Sequence, residues 1–168
     1  MPASGEDSAM KKHDIYRLHV RDVMVKHVVA VHPQDPVSDA LRDMLENRVS
    51  ALPVVDAHER CVGVISATDL LGLAHQLGGE LEALQQAEGL SRELLEEQLE
   101  RTGFSNQVVQ EVMTHSAVTV GPDATLVAAA GAMIRNQVHR LAVTSAEGEL
   151  VGIVSTMDIM RALAESSD

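Results

Sequence analysis

The sequence predicts a mixed α/β (α+β) fold of two β-α-β-β-α units, packed with pseudo-twofold symmetry and separated by a helical insert. Three observations carry this reading. Gly63-Val-Ile-Ser-Ala-Thr-Asp69 returns as Gly152-Ile-Val-Ser-Thr-Met-Asp158, 89 positions later. The same offset runs without a gap from residue 22 to 71, aligning Val23-Met24 with Val112-Met113, Pro33 with Pro122, Met44 with Met133 and Asn47 with Asn136. Each copy also places a β-like stretch, an amphipathic helical stripe and a strand pair in the same order. A repeat that keeps its register is a duplicated supersecondary unit, and such units bury their apolar faces against one another. Clefts between two such copies come in pairs.

Residues 1–14 are polar and aperiodic, which describes a flexible N-terminal tail. The first unit spans 15–74. Residues 15–21 form a lead-in helix or arm, and Val28-Val-Ala-Val31 is β-like until His32-Pro33 ends it. Asp35 reads as a helix N-cap with Pro36 in the first helical position. Val37, Ala40, Leu41, Met44 and Leu45 then make one apolar stripe. Leu52-Pro-Val-Val55 is a strand, residues 56–60 a polar turn and Cys61-Val-Gly-Val-Ile65 the returning strand. A helix opens at Thr68 or Asp69.

The second unit spans 109–164 and repeats this order. Val118-Thr-Val120 is the short strand, and Leu126, Ala129, Ala130, Met133 and Ile134 form the stripe. Leu141-Ala-Val143 and Leu150-Val-Gly-Ile-Val154 flank a turn at Ser145-Ala-Glu-Gly148, and a helix over 158–164 leads to a polar tail at 165–168. Between the units, residues 75–108 have no copy. Glycines divide this insert into helices over 80–88 and 91–101, the second with Leu94, Leu95 and Leu99 opposite four glutamates. It reads either as a solvated amphipathic hairpin or as a docking surface for a basic partner.

Composition narrows the function classes. Tyr16 and Phe104 are the only aromatics, so the expected core is Val, Leu, Ile, Ala and Met, and stacking platforms for single-stranded nucleic acid are missing. A formal charge of −12 repels polyanions, which argues against a nucleic-acid partner. No segment has the apolar length to span a bilayer and the N-terminus has no secretory core, so a cytoplasmic protein without a membrane partner is expected. The single Cys61 makes no internal disulfide; it reads as a small buried hydrophobe, with a reactive thiol as the alternative.

The Gly-h-h-Ser-x-x-Asp motif, with h aliphatic, joins a strand to a helix. A helix N-terminus suits an anion such as phosphate, and the hydroxyls of Ser66 and Thr68 add donors. The carboxylate of Asp69 is suited instead to accept two hydrogen bonds from the vicinal diol of a ribose. The plainer alternative is that Ser66 and Asp69 only cap the helix. His139 and Arg140 precede a strand and would favour phosphate, or be ordinary surface residues. Their first-unit counterparts, Ser50 and Ala51, carry no charge, so two clefts would be chemically unequal.

These motifs resemble cystathionine-β-synthase (CBS) domains: the duplicated unit, Val-Ser-Ala-Leu-Pro-Val-Val-Asp at 49–56, and the two Gly-h-h-Ser-x-x-Asp sequences. A tandem pair is a Bateman module. The stretch from Val138 to Asp158 is also similar to a unit of the γ subunit of AMP-activated protein kinase, a sensor of adenine nucleotides. The resemblance implies a regulatory, non-catalytic module binding adenosine derivatives in clefts that draw on both units. Carried over by position, one cleft would use Val64, Ser66, Thr68 and Asp69, facing the segment before Val118 with Val138, His139 and Arg140. The other would use Ile153, Ser155, Met157 and Asp158, with the segment from Met24 to Val29 and Val49, Ser50 and Ala51. Met157 in place of Thr68 weakens the second cleft for phosphates. AMP or ATP is therefore expected at Asp69, and nothing, or a ligand such as S-adenosylmethionine, at Asp158.

The resulting expectation is a stand-alone nucleotide sensor that signals to an effector protein, in the manner of energy sensing, with no resident cofactor or metal. A structural module with vestigial clefts, acting through its acidic insert, is the alternative. No nucleophile has an assigned base and the histidines lack ligand spacing, so no enzyme is expected. Such modules commonly pair, which predicts a homodimer.

Overall fold

The computed structural model describes residues 15–76 and 103–165; the expected tail at 1–14, the insert helices at 80–88 and 91–101 and residues 166–168 lie outside these. In chain order the elements are a 3-10 turn (Ile15–Arg17), α1 (Val20–Val23), α2 (Val37–Asn47), β1 (Ala51–Val55), β2 (Cys61–Ser66) and α3 (Ala67–Gln76). After a 3-10 turn (Phe104–Asn106) come α4 (Val109–Val112), β3 (Thr114–His115), β4 (Thr119–Val120), α5 (Leu126–Asn136), β5 (Arg140–Thr144), β6 (Leu150–Ser155) and α6 (Thr156–Glu165). The fold is thus mixed α and β, with two three-stranded sheets ordered β1-β2-β3 and β4-β5-β6.

Packing divides the chain into a central unit, Val29–Ala117, and a terminal unit, Met1–Val28 with Val118–Asp168. These boundaries differ from those of the sequence repeat. The opening segment of the first repeat packs with the body of the second: Val20 and Arg21 donate backbone bonds to Ala124 and Pro122, and Val25 exchanges a pair of 2.9 Å bonds with Ile153. Conversely, Val109 and Gln110 donate to Asp35 and Pro33, and β3 pairs with β2 through Gly63 with His115 and Val64 with Thr114.

In the central unit, Val37, Ala40, Leu41 and Met44 are buried as the stripe requires, with Leu45 partly so. The expected Asp35 cap is not formed. The Asp35 carboxylate turns back to accept the His32 amide at 2.7 Å, and Pro36 takes the N-cap position. The β-like run ending at Val31 is reduced to one parallel bridge, Val31 with Val54, whereas its copy forms β4 along β5. The cause is Pro53. Val31 donates to the Pro53 carbonyl and Val55 donates to that of Val31. The next pair would need a donor from residue 53, and proline has none. Its counterpart Ala142 has one, and Thr119 pairs with it.

Phe104 corrects the expected all-aliphatic core: among the described residues it is the largest fully buried side chain, and it belongs to the central cluster with Leu52, Ile65 and Leu70. In the terminal unit Leu126, Ala129 and Met133 line the core with Leu141, Val143 and Val154. Ile134 departs from its stripe and is 77% exposed. It is the eighth position after Leu126, about 80° round the helix from it, and so falls at the edge of the buried sector.

The hairpin turns solve one problem twice. Ser145 Oγ accepts the amides of Glu147 and Glu149, with Gly148 at φ 86°. In the first copy Asp56 accepts the amides of His58 and Arg60 and the Arg60 Nε, with Glu59 at φ 59°. The Arg60 side-chain bond, reinforced by the backbone amides of Arg60 and His58, holds the Asp56 carboxyl down at about 2.

The motif glycines are set by close approach. A Cβ on Gly63 would lie 2.7 Å from the Thr114 carbonyl oxygen, and one on Gly152 would lie 2.7 Å from Met24 Sδ and 2.9 Å from the Val25 oxygen. Gly72 in α3 has nothing within 4 Å. Gly63→Ala and Gly152→Ala should each lower stability by roughly 1–3 kcal/mol. Gly72→Ala should raise it by about 0.5–1 kcal/mol through helix propensity; urea unfolding measures both. Asp56 adds a pH prediction. The unfolded chain protonates this carboxylate near 3.8 and the folded chain near 2, so its stabilisation is complete above about pH 4 and is lost as pH falls towards 2. Asp56→Asn should flatten the stability profile across that acid window.

Candidate functional site

Each returning strand ends on a serine, and the next residue starts a helix. At the end of β2, Asp69 Oδ2 accepts both the Ser66 amide at 2.8 Å and the Ser66 hydroxyl at 2.6 Å. The Asp69 amide returns a bond to Ser66 Oγ at 3.3 Å. This is a reciprocal cap in which Ser66 is the N-cap and Asp69 stands at the third helical position. The terminal unit repeats it at Ser155 and Asp158, with distances of 2.8, 2.6 and 3.2 Å.

The capping alternative is therefore realised in both copies, and it changes how the motif can meet a ligand. A hydroxyl has one proton. That of Ser66 goes to Asp69, so the donor left at this strand end is Thr68, which is exposed. The Ala67 amide is bonded to the Ser50 carbonyl at 2.9 Å and the Asp69 amide to Ser66. Two of the first three helical amides are thus unavailable to an anion, which shifts the weight from the helix end to the carboxylate. Both cap bonds fall on Oδ2. Among the described residues Oδ1 of Asp69 has no partner.

Within the central unit, Ala51 lies opposite Ser66, Ser50 beside Ala67, and Val64 between Pro53 and Thr114. Val49 packs partly against the core, whereas Val29 stands exposed outside any strand. In the terminal unit Arg140 lies opposite Ser155, and the His139 carbonyl accepts the Thr156 amide at 2.9 Å and its hydroxyl at 3.2 Å. Ile153 pairs with Val25, while Met24, Val118 and Val138 pack partly buried against the core. His139 and Arg140 are exposed and form no ion pair among the described residues. Met157 is 61% exposed where the first copy has Thr68.

One residue of chemical consequence escaped the reading of the motif. Arg161 Nη1 stands 3.6 Å from Asp158 Oδ1, and Asp158 is only 12% exposed. The aligned residue of the first copy is Gly72. Extending the comparison at the same offset three positions past the aspartate would have exposed the difference. Cys61 is half-buried, and burial pushes its thiol upward, which keeps it neutral. Among the described residues no group of three or more His, Cys, Asp or Glu gathers as a metal set, and no helix is long and apolar enough to cross a membrane.

A family model described as the CBS domain matches residues 20–75 and 109–165. The chain is similar to CBSX2, a chloroplastic CBS domain-containing protein of Arabidopsis thaliana: 31% identical over 135 residues, 79% of this chain and 57% of that protein. It is 28% identical over 152 residues to the protein MJ1426 of Methanocaldococcus jannaschii, covering 86% of this chain and 90% of the relative. The crystal structure of CBSX2 in complex with AMP shares the fold with a TM-score of 0.68 at 29% identity, over 89% of this chain and 98% of that one.

Because each aspartate closes the capping box of its helix, Asp69→Ala and Asp158→Ala should each lower stability by about 0.5–2 kcal/mol without any ligand present. Chemical denaturation of the ligand-free variants checks this.

Proposed function

The chain belongs to the CBS-domain family as a tandem pair, and from that membership we propose that it is a regulatory, non-catalytic module binding an adenosine nucleotide of the AMP or ATP class. The observation that carries the reading is the Asp69 carboxylate. It is fixed in place through Oδ2, while Oδ1 is left without a partner among the described residues. A rigid carboxylate with an open oxygen is what a ribose diol requires. The AMP complex of CBSX2 supports the adenine nucleotide as ligand class.

His139 and Arg140, exposed and unpaired among the described residues, are the cations suited to phosphate. The formal charge of −12 opposes each added phosphate, which favours AMP over ATP. In the finer reading the protein is a cytoplasmic homodimer. The nucleotide stabilises one conformation, and an effector protein that recognises this conformation is thereby coupled to nucleotide level. Backbone groups of the segment before Val118 would meet the adenine edge at the Asp69 motif, and those of the segment from Met24 to Val29 would do so at the Asp158 motif.

Thermal unfolding should be followed while AMP, ATP and S-adenosylmethionine are titrated. A ligand at a hundred times its Kd adds about 2.7 kcal/mol of stability. AMP is expected to give the largest shift, and Asp69→Ala, compared with its own ligand-free baseline, to lose most of it. Absence of a shift with all three compounds at millimolar concentration overturns the proposal.

A further inference from the structure

The two caps spend their carboxylates identically on Oδ2, so any difference in what they can offer lies at Oδ1. In the terminal unit that oxygen faces the Arg161 guanidinium at 3.6 Å, within the same helix. In the central unit the same place in α3 is Gly72. Packing does not dictate this choice, since a Cβ on Gly72 would meet nothing within 4 Å. A side chain can therefore start from position 72, and among the described residues only the terminal copy has a cation over its carboxylate.

We propose that Arg161 is a selectivity residue: it forms a 3.6 Å ion pair with the second oxygen of Asp158 and thereby lowers the affinity of that motif for a ribose diol, so that the Asp69 motif fills first. This rests on the adenosine reading above and concerns which of the two motifs takes the ligand. A diol donates two hydrogen bonds to a carboxylate. At Asp69 Oδ1 is open to it among the described residues, whereas at Asp158 a hydroxyl must displace or share the guanidinium. Arg161 is 67% exposed, so the pair is weak and salt-screened. The effect on affinity is about 1.5- to fivefold, which orders two sites without closing one.

The test is calorimetric titration of AMP and 2′-deoxy-AMP at low salt. The probe pair separates the diol from the phosphate, because 2′-deoxy-AMP lacks one diol hydroxyl. Gly72→Arg in the parent chain should weaken Asp69-dependent AMP binding by about 1.5- to fivefold and change 2′-deoxy-AMP binding much less. In an Asp69→Ala background, Arg161→Ala should strengthen the remaining AMP binding by a similar factor. Alanine keeps the helix propensity at that position. Unchanged AMP affinity in the Gly72→Arg chain overturns the proposal, even where the Asp158 motif is too weak to titrate. So does weaker binding in the Arg161→Ala chain, which would make Arg161 a phosphate contact. In both cases AMP binding by the parent leaves the nucleotide reading standing. A parent chain that binds no AMP overturns that reading instead.

Discussion

At Gly63 and Gly152 a neighbouring segment crosses the returning strand so closely that a Cβ would lie 2.7 Å from its atoms. Real side chains do not tolerate such contacts, so each strand leaves a slot that only glycine can provide. What fills the slot comes from the opening of the other repeat: residues 113–114 over Gly63 and residues 24–25 over Gly152. Each compact unit is therefore the body of one repeat completed by the first segment of the other. The duplication that is plain in the sequence is not the division in which the chain packs.

The same strands run on from the glycine to the serine, and their geometry delivers the cap. Once Ser66 or Ser155 ends its strand, the aspartate three residues on can close both the serine amide and its hydroxyl with one oxygen. Structure and chemistry then share one side chain without competing for the same atom. Oδ2 serves the helix start, and Oδ1 is the atom that the proposed ligand would have to use. Mutational loss at a residue that caps a helix and is proposed to bind would mix stability and binding, which is why the ligand-free baseline matters in interpreting it.

Much of this was legible from residues alone, and where it was not, the reasons are specific. Most strand, turn and stripe positions followed from periodicity, with the run ending at Val31 and Ile134 as exceptions, and Val37, Ala40, Leu41 and Met44 are buried as their spacing requires. Pro53 reads as part of a strand because it lies between aliphatic residues. Its missing amide shows its effect only when the partner strand is known, and there it cuts the ladder to a single bridge. The aliphatic core expected from composition leaves Phe104 out, yet it is fully buried within a core cluster. A residue near the end of the insert cannot be placed by local pattern, because the surface that receives it is distant in sequence. Asp35 was a sound cap candidate whose carboxylate had a nearer amide, that of His32.

The sequence by itself determined the family, the duplicated order of elements and the candidate motif, since these depend on residue type and spacing alone. It also showed that the copies are unequal at Thr68 and Met157 and at Ser50-Ala51 and His139-Arg140. Tertiary structure alone decided which segment completes which unit, and which atoms of the motif remain open. Both are questions of distance between residues far apart in the chain or of competition for individual oxygens. Hydrogen bonds form within about 3 Å and in definite directions, a scale at which spacing in the sequence has nothing to say. The proton of Ser66, the two oxygens of Asp158 and the guanidinium of Arg161 find their partners only once the strand has ended and the helix has begun.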